Sequence, residues 1–161
     1  MNNLSIVIVG LGGIGTALVT PICQFLHFYK SGLATNEDFA REMGVENPPI
    51  FDDINVTLVD GDVYEFRNRE RQEFSQLGPK SEVKERDLRE LYPALSYNSI
   101  NQYITEDNIS DIIKDGDIVF ICVDNHPSRK LINNYCKTLS NIHVFSGGNS
   151  FHTASAKIHS K

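Results

Sequence analysis

Apolar and polar positions follow two periods along this chain, and each change of period marks an element. Leu4-Ser-Ile-Val-Ile-Val9 is a short apolar run rich in β-branched residues, the pattern of a strand buried on both faces of a parallel sheet. Beyond Gly10-Leu-Gly-Gly-Ile-Gly15, apolar residues recur at Ile14, Leu18, Ile22, Phe25, Leu26 and Tyr29, which is helical spacing. Pro21 falls inside that helix, removes one backbone donor and predicts a kink. Ile54 to Val59 predicts a second strand that ends in the acid Asp60, and Lys80 to Leu91 a helix stopped by Pro93. Leu95 to Ile104 alternates as a third strand, Thr105 to Lys114 reads as a short capped helix, and Asp117 to Val123 as a fourth buried strand. Pro127 suits the first turn of a helix with Leu131, Ile132, Tyr135 and Leu139 on its apolar face. His143-Val-Phe145 opens a fifth strand, Ser146-Gly-Gly-Asn149 reads as a turn, and Phe151 to His159 as a further strand.

Strands alternating with helices predict an α/β fold with a Rossmann-like, doubly wound, mainly parallel sheet. At 161 residues the chain fits one domain, 1–161, since domains hold roughly 100 to 200 residues. Residues 31–53, punctuated by Ser31-Gly32, Asn47-Pro48-Pro49 and Asp52-Asp53, read as a surface insertion with a short helix from Asn36 to Met43. Residues 61–77 read as irregular and rich in charge.

A net charge of −6 argues against a nucleic-acid partner, because binding needs a basic field to displace counterions from phosphates. No apolar run approaches the roughly 18 residues a membrane span needs, so a soluble, cytoplasmic protein is expected. Cys23, Cys122 and Cys136 are odd in number, contain no C-x-x-C pair and read as reduced core thiols. The five histidines show no paired metal-ligand spacing.

The chemistry starts at Gly10-x-Gly12-Gly13-x-Gly15. Its first glycine permits a tight turn, the next two let backbone N–H groups approach a phosphate, and the last lets helix and strand pack. A phosphate fits the helix N-terminus that follows. Asp60 stands where an acid accepts hydrogen bonds from ribose hydroxyls, but some 50 residues past the glycines instead of the usual 20 or so, a distance the insertion explains. Glycine loop and acid together suit either ATP or NAD.

Three further segments follow in order: Asp60-Gly-Asp62-Val-Tyr-Glu-Phe-Arg-Asn68-Arg-Glu-Arg71-Gln72, then Gly78-Pro-Lys80, then Cys122-Val-Asp124-Asn125 with Arg129. From Leu4 to Asn149 the chain resembles the ThiF/MoeB/HesA proteins and the adenylation domains of ubiquitin-activating enzymes; the insertion and Ser146-Gly-Gly-Asn149 resemble bacterial ThiF-like proteins. The resemblance implies an adenylyltransferase that uses ATP and Mg²⁺ to activate the C-terminal carboxylate of a ubiquitin-like or sulfur-carrier protein ending in Gly-Gly, with release of pyrophosphate. It implies that Asp60 holds the ribose, Asn68 and Arg71 the phosphates, Lys80 the α-phosphate and Asp124 the metal, with Arg71, Lys80 and Asp124 catalytic. Asp62, Gln72 and Asn125 belong to the same nucleotide-binding set. The chemistry is coherent, because a carboxylate attacking a phosphate brings two anions together and demands cations.

Plainer readings stand beside these. The arginines and glutamates of 65–73 suit a solvated, salt-bridged stretch, Asp124 or Asn125 suits a helix cap, and Lys80 suits a surface lysine, although a cation at a helix start opposes the dipole. A non-catalytic, nucleotide-binding half of a pseudo-dimer and an NAD-dependent oxidoreductase are the competing functions. Relatives also carry an arginine-bearing segment ahead of the first strand and a second sheet half that holds the protein partner. On that comparison the chain is expected to be truncated at its C-terminal end, to act as a homodimer or pseudo-dimer, and to bind nucleotide without turning over alone.

Overall fold

The computed structural model describes residues 2–32, 44, 49–70, 72, 74–149 and 154–160. Its frame is a six-stranded sheet built from β1 (Asn3–Val9), β2 (Asp53–Val59), β5 (Ser96–Ile100), β6 (Asp117–Ile121), β7 (His143–Asn149) and β8 (Ala154–Ser160). The spatial order is β5-β2-β1-β6-β7-β8, with the first five strands parallel and β8 antiparallel to β7. This is the expected doubly wound α/β sheet, with the crossover between halves falling between β1 and β6.

Register decides where the chemistry sits. Val9 pairs with Val59 on one side and Ile121 on the other, and Val59 pairs with Ile100. Four strands therefore end level, and the loops that leave them emerge side by side at the carboxyl edge, where doubly wound sheets bind ligands.

Alternation along β1 sends Ile6 and Ile8 into one core and Val7 and Val9 into the other. The first core packs under α1 (Gly13–Lys30) and α2 (Lys80–Leu91), using Val19, Cys23, Leu26 and Leu88. The second packs under α3 (Ile109–Ile112) and α4 (His126–Cys136), using Ile109, Ile132 and Cys136. The expected face of α4 is borne out for Leu131, Ile132 and Tyr135, while Leu139 lies beyond the helix end and packs against the same core. α1 runs through Pro21 as one helix to Lys30. The three cysteines are free and buried, and burial pushes the thiols of Cys122 and Cys136 up to about 11.

The structure corrects several sequence readings. Ser146-Gly-Gly-Asn149 is not a turn but the second half of β7, in register with Ala154 to Lys157. A backbone ladder needs no side chain, and Arg129 braces this stretch by donating from Nη1 to Ser146 Oγ at 3.0 Å and from Nη2 to the Gly147 carbonyl. Residues 61–77 are not wholly irregular, because β3 (Val63–Tyr64) pairs with β4 (Gly78–Pro79) and clips both ends of the segment together. The expected helix from Thr105 shrinks to Ile109–Ile112. The Asn108 side chain accepts the Thr105 amide at 2.8 Å and donates to the Tyr103 carbonyl at 3.0 Å, so that stretch folds as a turn. β5 stops at Ile100 instead of Ile104 because the chain turns over the end of the sheet and buries Ile104 in the second core.

Of the 31–53 insertion, residues 31–32, 44 and 49–53 belong to the described residues, and the helix expected at 36–43 lies outside them. Its return is fastened to the start of β1: the Asn2 and Asp52 backbones pair at 2.9 Å, and the Asn2 amide donates to Asp52 Oδ2 at 2.8 Å. No helix among the described residues is long and apolar enough to cross a membrane.

The glycine loop joins β1 to α1 by steric necessity. Gly10 has φ of +93°, and a Cβ there would lie 2.8 Å from the Val123 nitrogen. A Cβ on Gly15 would lie 1.9 Å from the Gly10 carbonyl oxygen, whereas one on Gly12 would meet nothing within 4 Å. Gly15→Ala is therefore expected to cost about 3 kcal/mol or more by forcing backbone apart, and Gly12→Ala about 1 kcal/mol or less. Urea unfolding of both variants checks this; similar midpoints for the two contradict it.

Candidate nucleotide-binding site

Where the level strand ends release their loops, a cleft of about 460 Å³ opens. The β1–α1 loop lines one wall with Gly10, Gly12 and Gly13, and the start of α4 lines another with Asn125 and Ser128. Two helix N-termini thus face the same space, which favours negative charge there. Gly15 stays out of the cleft and serves packing, as its place in the loop implied.

Asp60 leaves β2 directly into this cleft and is buried. Its Oδ2 accepts the Leu11 amide at 2.5 Å, and its Oδ1 accepts the Asp62 amide at 2.8 Å. Burial pushes this carboxyl above the ordinary value, opposed by the two amide bonds and by nearby Lys80. The residue expected to hold ribose is thus first a strut between the glycine loop and the chain after β2. A carboxylate has about four acceptor positions, so two remain for a ligand hydroxyl.

Lys80 is 5% exposed, not a surface lysine. Its amide donates to the Asp62 carbonyl at 2.9 Å, and its Nζ meets Asp62 Oδ2 at 2.9 Å. The β3–β4 clip explains this arrangement, because pairing Val63 with Pro79 brings Asp62 and Lys80 together at its open end. A paired, buried cation answers the dipole objection to a lysine at a helix start. The Tyr103 hydroxyl donates to Asp62 Oδ1, and its hydrogen bond and that of Lys80 hold the Asp62 carboxyl below the ordinary value.

Asn68 and Gln72 also line the cleft. Asn68 Oδ1 accepts the Glu65 amide at 3.0 Å and fixes a single 3₁₀ turn, Phe66–Asn68. The Gln72 side-chain oxygen is buried with no hydrogen-bond partner among the described residues. Arg71 lies outside the described residues. Asn125 caps α4 by accepting the Ser128 amide at 2.8 Å, as one residue of its pair was expected to do. Asp124 is exposed at the rim, and among the described residues no side chain or amide pairs with it.

Among the described lining residues, three carboxylates therefore face one ammonium. Asp60 is buried and braces two backbone amides and Asp62 holds Lys80 and Tyr103, which leaves Asp124 as the carboxylate without a partner among the described residues. One carboxylate completed by phosphate oxygens is a donor set that suits Mg²⁺. Among the described residues no group of three His, Cys, Asp or Glu side chains forms a protein-only metal site.

Sequence reading missed Gln102, Tyr103 and Ile104, which also line the cleft. They were assigned to the end of a strand, and no local pattern marks them as ligand-facing. A Cβ on Gly61 would lie 2.8 Å from the Tyr103 nitrogen and 2.9 Å from its ring, so that glycine is required where Tyr103 crosses.

Known proteins share parts of this sequence pattern and this architecture. Over 139 residues, 84% of this chain, it is 31% identical to the adenylyltransferase and sulfurtransferase uba4 of Pyricularia oryzae and covers 23% of that protein. It is 26% identical to the sulfur carrier protein ThiS adenylyltransferase of Escherichia coli over 84% of this chain and 45% of that one. The chain thus spans less than half the length of these curated relatives. Among solved structures, E. coli MccB with AMPCPP and MccA superposes with a TM-score of 0.69 at 20% identity, over 98% of this chain and 40% of that one. E. coli tRNA N6-threonylcarbamoyladenosine dehydratase, TcdA, in complex with ATP, gives 0.58 at 21% identity, over 84% and 47%. The model of the ThiF family matches residues 41–161, from within the insertion through the Asp60, Lys80 and Asp124 segments to the last strand, and this chain belongs to that family.

Proposed function

We propose that this chain is the nucleotide-binding part of an ATP-dependent adenylyltransferase that activates the C-terminal carboxylate of a ubiquitin-like or sulfur-carrier protein ending in Gly-Gly. The observation that carries this reading is the pairing of a buried lysine with Asp62 beside a glycine loop, in the same cleft as Asp124, which has no partner among the described residues. The names of the curated relatives support it. A hydride-transfer site needs neither a buried cation nor a free carboxylate at this place.

The glycine loop and the start of α1 receive phosphate oxygens through backbone N–H groups. Remaining acceptor positions on Asp60 take ribose hydroxyls, and the buried Gln72 oxygen offers a further acceptor. The attacking carboxylate oxygen forms a bond to the α-phosphorus while the bond from that phosphorus to the bridging oxygen breaks, and its electron pair leaves with pyrophosphate. Lys80 meets the charge that builds on the α-phosphate oxygens, and Arg71 and Asn68 steady the outer phosphates. Arginine suits that task because its planar fork never loses its proton. Mg²⁺ held by Asp124 supplies positive charge to the phosphates when bound. A homodimer or pseudo-dimer in the cytoplasm is the setting we infer.

Lys80→Ala and Arg71→Ala are each expected to lower pyrophosphate exchange into ATP by roughly 10²-fold or more while the fold survives. The assay is run with a longer form of the chain or with a partner subunit, in the presence of a ubiquitin-like protein ending in Gly-Gly, and unchanged exchange in either variant removes that residue from the site. Asp124→Ala should weaken ATP binding measured with Mg²⁺ and leave binding in EDTA nearly unchanged. Calorimetric titration in both buffers decides this, since a parallel loss makes Asp124 a structural residue.

A further inference from the structure

Tyr103 stands in the cleft with no part in the family pattern. It leaves β5 with its ring against the bare backbone of Gly61, and its carbonyl is held by the Asn108 side-chain amide at 3.0 Å. Its hydroxyl, in a residue 65% exposed overall, reaches inward to Asp62 Oδ1. The other oxygen of the same carboxylate accepts from Lys80 Nζ at 2.9 Å. Asp62 is thus gripped from both sides, by a phenol on one oxygen and an ammonium on the other.

We propose that Tyr103 is a positioning residue that, by holding Asp62, keeps Lys80 Nζ at a fixed place in the cleft for phosphate oxygens; this rests on the nucleotide reading above. A lysine is a point charge on a flexible four-carbon stem, so its direction is set by what its ammonium donates to. If the phenol is removed, the carboxylate turns more freely, and Lys80 regains rotamers that must be lost again when phosphate arrives. The Lys80 side chain is 6% exposed while the Asp62 side chain that its ammonium donates to is 49% exposed, so the anchor, not the lysine, is the part of the pair that water can loosen. Tyr103 covers the oxygen of that carboxylate that Lys80 does not use.

The test compares wild type, Tyr103→Phe, Lys80→Ala and the double variant by titration with ATP and with adenosine, which lacks phosphate. Phenylalanine keeps the ring on Gly61, so unliganded thermal unfolding should hardly move. Tyr103→Phe should weaken ATP about tenfold, as for loss of one charge-assisted hydrogen bond, and leave adenosine unchanged. In the Lys80→Ala background the same substitution should cost ATP nothing further, because the two act through one path. An equal loss for adenosine, or a full loss that persists without Lys80, overturns the assignment, since either makes Tyr103 a wall of the cleft. Unchanged ATP affinity in Tyr103→Phe overturns it while the nucleotide reading stands. A wild-type chain that binds neither ligand overturns both.

Discussion

A buried carboxylate that takes its hydrogen bonds from backbone amides can hold two loops at a fixed separation. Asp60 does this at the end of β2, accepting the Leu11 amide with one oxygen and the Asp62 amide with the other. The first bond sets the course of the glycine loop toward α1, and the second sets the chain that enters the β3–β4 clip. Lys80 is placed by that clip, so glycine loop, acid and cation share one reference point. The arrangement has a cost, because burial raises the pKa of this acid. The amide bonds and the neighbouring lysine offset it.

Level strand ends give the strut its leverage. Val9, Val59, Ile100 and Ile121 stand in one row, so the loops that leave them start side by side at the cleft. Gly10 and Gly15 make the row usable, since side chains at either position would collide with backbone. The fold contributes a rigid rim, and the chemistry is carried by residues just beyond it.

Much of this was legible in the sequence, where long periodic signals and local grammar agree. The run Leu4–Val9, the helix at Lys80–Leu91 and the Pro127 helix start were readable because burial and spacing say the same thing there. The glycines, Asp60, Lys80 and Asp124 were found through pattern, and the cleft collects the described members of that set apart from Gly15. What stayed hidden depends on distant partners. Nothing local tells that Ser146-Gly-Gly-Asn149 extends a strand, because its ladder and the Arg129 brace come from elsewhere in the chain. Tyr103 was invisible for the same reason, since its meaning lies in an aspartate 41 positions earlier. Asp60 was read for its ligand and not for the amides it supports, a role that no motif spells.

The β3–β4 clip sets apart the residues inside it from those that hold it closed. Two paired positions on each strand shut a loop whose ends meet beside the buried lysine. Closing such a loop costs free energy that grows only slowly with its length. Within the stretch from Glu65 to Leu77 only part is free to vary, because Phe74 packs against the first core and the Ser75 amide donates to Asp87 of α2 at 3.1 Å. Natural variation and laboratory diversification have the same entry point: the exposed turn around Phe66 and Arg69, held between the clip on one side and the Phe74 and Ser75 anchors on the other.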